Sequence, residues 1–106
     1  MFKIIHAMIF LVIVKTMKEI VLTEYMTYRA TLRGYDLGRI EQILRFGAEK
    51  YFDSETGRQV AVGSHKEKLI LIPYVETETK ITPITVHATT RQQIRFRINT
   101  GRFKYG

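Results

Sequence analysis

The feature that most constrains this chain is a change of hydrophobic period near Glu49. Before it, Leu37, Ile40, Ile43 and Leu44 recur at helical spacing between Asp36, a helix-capping residue type, and Gly47, a helix terminator. After it, runs at 50–52, 58–63, 68–75 and 81–88 read as strands, separated by hairpin punctuation at 53–57, 65–67 and 76–80. Upstream, 20–22 reads as a short strand, and Thr23 or Thr27 caps a helix that runs to about Arg33 and stops at Gly34. The short 34–36 connection makes the two helices an antiparallel hairpin. Tyr25, Tyr28 and Leu32 form one stripe of the first helix and Leu22 and Met26 another, so its buried face stays open.

Both periods have to be satisfied in one core, which predicts an α+β plan. Its parts are an N-terminal strand, a helical hairpin, an antiparallel sheet of three to four strands and a C-terminal helix, with the helices packed on one face of the sheet. Residues 69–72 are apolar without alternation, as expected of a strand covered on both faces or lying at the sheet centre. If Ile84, Val86 and Ala88 face the helices, Thr85 and His87 point to the opposite face. Pro73 and Pro83 each remove a ladder donor and lie symmetrically about Glu78. A hairpin centred there sets them side by side, and the ladder should be weak or bulged.

At 106 residues the chain is the size of one domain, and 45% hydrophobic with 25% charged residues is the balance of a folded globular protein. Residues 1–16, MFKIIHAMIFLVIVKT, stand apart as an apolar extension, and 17–106 form the expected domain. The unbroken apolar run at 7–14 is far shorter than the roughly 20 residues a membrane-spanning helix needs, and no small-residue cleavage site follows it. Membrane insertion and secretion are therefore disfavoured. One hypothesis is that Met17 is the physiological initiator; a native intact mass that includes Met1 would sink it. The alternative is that β-branched residues 9–14 add a strand or an oligomer contact. With no cysteine, disulfides and thiolate metal sites are impossible and an intracellular, cytoplasmic location is the default. No metal or other cofactor is expected.

A net charge of +7, from 17 Lys plus Arg against 10 Asp plus Glu, favours an anionic partner. The charge gathers at 86–103, VHATTRQQIRFRINTGRF, which holds His87, Arg91, Arg95, Arg97 and Arg102 without an acidic residue. Thr90 with Gln93 fits a capping box, and Ile94 and Ile98 follow at helical spacing up to Gly101. Ile94, Phe96 and Ile98 also alternate with Arg95 and Arg97 in the manner of a strand. The cap favours the helix.

The helical hairpin YRATLRGYDLGRIEQILR, the turn-strand unit YFDSETGRQVAVG, the strand KLILIPYV and the ending ITVHATTRQQIR resemble small prokaryotic proteins related to the BrnT-type toxins of the RelE/ParE superfamily. The resemblance covers roughly residues 17–103 and rests on element order and the basic strand-to-helix ending. It implies a RelE/ParE-like fold, a basic sheet face that engages RNA or the ribosome, and a protein antitoxin that covers the same region. It places His87 and Arg91 at the position where BrnT-like proteins carry basic residues.

Metal-independent RNA cleavage needs a base for the 2′-hydroxyl, an acid for the leaving oxygen and cations for the developing charge. His87 and Arg91 are the candidate catalytic pair. Arg91, Arg95, Arg97 and Arg102 are candidate phosphate or partner contacts, with Tyr74 and His65 as further residues able to reach the same face. Phe96, Phe103 and Tyr105 offer rings for unpaired bases. The competing reading is a non-catalytic protein that binds nucleic acid or an acidic protein through its basic C-terminal segment, the arginines being a solvated helix edge and His87 a surface strand residue. A homo-oligomer is compatible with either.

Overall fold

The computed structural model describes residues 17–106; the extension, and the strand or contact expected at 9–14, lie outside the described residues. In order, the elements are β1 (Glu19–Ile20), α1 (Glu24–Leu32), α2 (Leu37–Phe46), β2 (Lys50–Asp53), β3 (Arg58–His65), β4 (Lys68–Glu76), β5 (Lys80–Pro83), β6 (His87–Thr89), α3 (Arg91–Asn99) and β7 (Phe103–Tyr105). The strands form one seven-stranded sheet in the order β1-β5-β4-β3-β2-β7, with β6 paired to β4 beyond the end of β5. β1 runs parallel to β5 and every other pairing is antiparallel, so the fold is α+β with a mixed, mostly antiparallel sheet.

The helices begin where side-chain oxygens satisfy otherwise unpaired amides. Thr23 accepts from Met26 N at 3.1 Å, Asp36 from Gly38 N at 3.0 Å and Thr90 from Gln93 N at 3.1 Å. The capping box at α3 is half formed. The Gln93 amide oxygen accepts from the Thr89 hydroxyl at 3.3 Å instead of turning back to the cap. Residues 94–98 are helix, as the cap indicated.

On one face of the sheet, Met26 and Ala30 from α1 and Ile40, Ile43 and Leu44 from α2 pack onto Ala61, Ile70, Ile72, Tyr74, Ile81 and Val86. The open question about α1 is thereby answered: Met26 and Ala30 go inward, leaving Tyr25, Tyr28 and Leu32 exposed. α2 lies so close to β3 that a Cβ on Gly63 would stand 2.6 Å from Ile43 Cδ1.

α3 does not join the other helices, which corrects the expectation that all of them share one face. Its Ile94 sits on the opposite face, with Tyr51, Val60, Val62, Leu71 and Phe103. The physical reason is visible in β4, where Ile70 and Ile72 belong to one core and Leu71 to the other. A strand apolar on both sides needs cover on both. The sheet is also larger than the three to four strands expected, because β1 and β7 are added at its edges and the last strand is split. In β7, Phe103 stacks on Tyr51 with centroids 5.4 Å apart.

The split is a bulge. Tyr74 pairs with Pro83 and Leu71 with His87, so Ile72 and Pro73 face the three residues Ile84, Thr85 and Val86. The expected weakness of the ladder is there. The two prolines are not side by side, because Ile84 N donates to Pro73 O at 2.8 Å and Pro83 opposes Tyr74. The extra residue inverts the alternation. Ile81 and, past the bulge, Val86 both enter the α1/α2 core, so His87 is turned to the other face beside Leu71.

Candidate functional site

α3 crosses only part of its face and leaves a cavity of about 390 Å³ between its C-terminal half and the bulge. β3 contributes Arg58 and Val60, β4 Leu71 and Pro73, the bulged strand Thr85 and His87, and α3 Arg97, with Asp53, Thr56, Arg102 and Phe103 closing the far end. Arg58 shares strand parity with Val60, and the inverted parity past Pro83 brings in His87. The backbone thus aims groups from four segments into one space.

His87 is reached by solvent, yet its pKa is held below the ordinary 6.5, first because its ring is partly desolvated and then because Arg33, Arg29 and Arg97 surround it with positive charge. The imidazole is neutral at neutral pH. Arg33 comes from α1 around the sheet edge, where its Nη1 donates to Val86 O at 3.0 Å and stands 3.5 Å from His87 Nδ1. That second contact is at the limit of a hydrogen bond and does not fix the tautomer, so either ring nitrogen can hold the lone pair. The Thr85 hydroxyl is buried with no hydrogen-bond partner among the described residues.

The basic residues expected at the site divide into two groups. Arg91 forms a two-pronged pair with Glu49, at 2.6 and 2.7 Å, and Glu49 also accepts from the Tyr51 hydroxyl at 2.8 Å. The Arg91 bond, outweighing partial desolvation, holds the Glu49 carboxyl below its ordinary value. Arg91 does not line the His87 cavity, so the expected His87–Arg91 pairing is not assembled there. Arg102 lines it but grips Asp53 at 2.9 and 3.0 Å and reaches Glu55 at 3.3 Å. Asp53 is only 4% exposed, and its pKa is lowered chiefly by the Arg102 bond. Arg97 and Arg58 have no acidic partner among the described residues; the Arg97 guanidinium lies 5.4 Å from the centre of the Phe103 ring. Arg95 is exposed on α3 outside the cavity.

Tyr74 and His65 do not reach the face of His87, contrary to expectation. Tyr74 is buried in the α1/α2 core, where desolvation and then Glu76 raise its pKa, and Lys50 Nζ lies 5.8 Å from its ring centre. His65 is buried beneath the α1–α2 connection. Its Nε2 accepts from Asp36 N at 3.0 Å and its ring meets Tyr35 edge-on at 5.3 Å, so its role is to pin that connection. Of the aromatic candidates, Phe103 is core, whereas Phe96 and Tyr105 are 67% and 79% exposed. Sequence reading did not assign Arg58 or Thr85 to the site, or bring Arg29 and Arg33 to His87. Parity with Val60 could have found Arg58; no local signal announces that Arg33 rounds a sheet edge.

Among the described residues no helix is long and apolar enough to cross a membrane. No protein-family model, no curated protein and no solved structure matches this chain.

Proposed function

We propose that this protein is a toxin-type RNA-binding module of the RelE/ParE kind, related to BrnT, that cleaves RNA with its own side chains and no metal. The observation that carries the reading is a neutral imidazole in an open cavity beside Arg97 and Arg58, two arginines with no acidic partner among the described residues. Guanidinium groups without an internal counter-ion are the form in which a protein offers two-pronged contacts to phosphate. A neutral histidine beside them accepts the proton of the ribose 2′-hydroxyl as its oxygen attacks phosphorus. The arginines then face the charge that develops on the non-bridging oxygens. The 5′-oxygen departs, taking a proton from water at the open mouth, and a 2′,3′-cyclic phosphate remains. Arg97 and Arg58 take the anion-binding role that the basic run alone would give to Arg91. RNA, free or on the ribosome, is the partner, and an antitoxin protein would act by covering the cavity.

The test is incubation of purified protein with RNA, with and without ribosomes, in a chelator. Cleavage leaving cyclic phosphate ends is expected, and His87→Ala should lower the rate about a hundredfold to ten-thousandfold while retaining RNA binding. The rate should rise with pH to a midpoint below 6.5 and then level off, because the base works only when unprotonated. No cleavage by wild type, or equal cleavage by the variant, would remove the catalytic assignment. A second reading, binding without chemistry, is favoured by one feature: of the imidazole and carboxyl groups lining the cavity, only His87 is outside a salt bridge, since Asp53 is held by Arg102. RNA binding in the absence of any cleavage selects it.

A further inference from the structure

One further cavity adjoins the one at His87, and another lies past Arg33, round the edge of the sheet. The larger, about 830 Å³, lies along α3 and is lined by Gln92, Gln93, Phe96 and Thr100 as well as Ser54 and Glu55, and it shares Arg97 and Arg102 with the His87 cavity as a common wall. Phe96 is 67% exposed, so its ring is not consumed by the core. Round the sheet edge, Arg33, 3.5 Å from His87, also lines a cavity of about 520 Å³ with His65, Lys66, Glu67 and Lys68.

These spaces are an aromatic slot with amide side chains, a histidine cavity with arginines that shares a wall with it, and, past Arg33, a ridge with two lysines. We propose that they form one track for single-stranded RNA, an inference that rests on the RNA-cleaving reading above. The strand lays a base against Phe96, places the adjoining phosphate at Arg97 beside His87, and continues over Arg33 round the sheet edge onto Lys66 and Lys68. The chemistry of each part fits that order. An exposed ring beside the Gln92 amide, which has no side-chain hydrogen bond among the described residues, suits an unpaired base, which has a flat face for stacking and polar edges for that amide. Glu55, the acidic residue of the slot, is occupied by Arg102 at 3.3 Å, so it does not oppose a strand entering there. The ridge sets Arg33, Lys66 and Lys68 against the one carboxylate of Glu67, and its two ammonium groups suit phosphate as point charges without selecting sequence. An acidic peptide would meet the same arginines and lysines but would have no use for the ring and amide slot, and a duplex keeps its bases stacked inside.

The experiment measures binding, not cleavage, with His87→Ala as the background so that the strand stays intact. Short single-stranded RNA, the same strand with abasic riboses, an RNA duplex and poly-glutamate are titrated over a range of salt. Base-bearing single strand is expected to bind tightest. Phe96→Ala should weaken it roughly five- to a hundredfold and abolish the preference over abasic strand. Lys66→Gln with Lys68→Gln should keep that preference and lower the slope of log affinity against log salt by about 0.7 for each phosphate that is no longer neutralised. All these side chains are exposed, so the variants leave the core intact. RNA binding in which Phe96→Ala retains the base preference, the lysine pair leaves the salt slope unchanged, or the duplex binds as well as the single strand overturns the track and leaves the cleavage reading standing. Binding of poly-glutamate but not RNA overturns both.

Discussion

On one face of the sheet, α1 and α2 press Met26, Ile40 and Leu44 onto Ile70 and Ile72 until all are out of solvent, whereas on the other, among the described residues, a single helix covers part and leaves His87, Arg58 and Arg97 around a cavity. Both faces start from the same strands. The difference lies in what the covering elements bring: two helices with apolar stripes against one helix in which Ile94 is the only fully buried residue. A face closed by apolar contacts carries stability, and a half-closed one has room for chemistry. The two ion pairs, Arg91 with Glu49 and Arg102 with Asp53, sharpen the point, because they fasten α3 and its following turn to β2 and the residue before it, and leave Arg97 as the arginine of that segment that lines the cavity without an acidic partner among the described residues.

The comparison is broken most severely by substitutions on the closed face. Ile72→Ala should cost about 2–5 kcal/mol in urea unfolding, the loss of a buried aliphatic side chain with nothing to refill the space, and should leave RNA affinity per folded molecule unchanged. A loss below about 1 kcal/mol would mean that this face is not the core described. Next comes Asp53→Asn, expected to cost about 1.5–3 kcal/mol because Arg102 loses a charged partner in a nearly buried setting. Its pH signature has a definite sign. The folded carboxyl is lowered from 3.8, so the unfolded chain binds its proton first; the stabilisation is complete above about 3.8 and is lost as pH falls through the folded value. Asp53→Asn should remove that part of the acid limb.

The smallest effect is on the open face. His87 also has a lowered folded pKa, so protonation below 6.5 favours the unfolded chain, and stability should decline slightly as pH falls from 6.5 toward the folded value. His87→Gln should flatten that slope while changing stability at pH 8 by no more than about 0.5 kcal/mol. A large loss at pH 8 would assign His87 to the scaffold.

Much of this was legible in local pattern. The spacing of Leu37, Ile40, Ile43 and Leu44 marked α2, Thr90 marked the start of α3, and Pro73 with Pro83 marked the bulge. The unalternating 69–72 run already contained the two-faced sheet, although the order of elements pointed to helices on one side. What local pattern cannot hold is pairing across the chain. Glu49 lies 42 residues from Arg91, and Asp53 lies 49 from Arg102, so a run that reads as uniformly basic loses two of its charges to partners that spacing does not reveal. β7 was missed for the same reason: three residues after Gly101 become a strand only because β2 offers an edge and Tyr51 a ring. The candidate site was half legible, His87 and Arg97 being present in the basic run while Arg58 and Arg33 arrive from distant elements.

The difference between the two faces is tested most directly by mapping amide and side-chain NMR shifts of His87→Ala protein as single-stranded RNA is added. Perturbations should cluster on Arg58, Thr85, Phe96 and Arg97 and leave Tyr25, Tyr28 and Leu32 of α1 unmoved. Shifts confined to the exposed α1 stripe, or none at all at concentrations where RNA is in excess, would contradict the account.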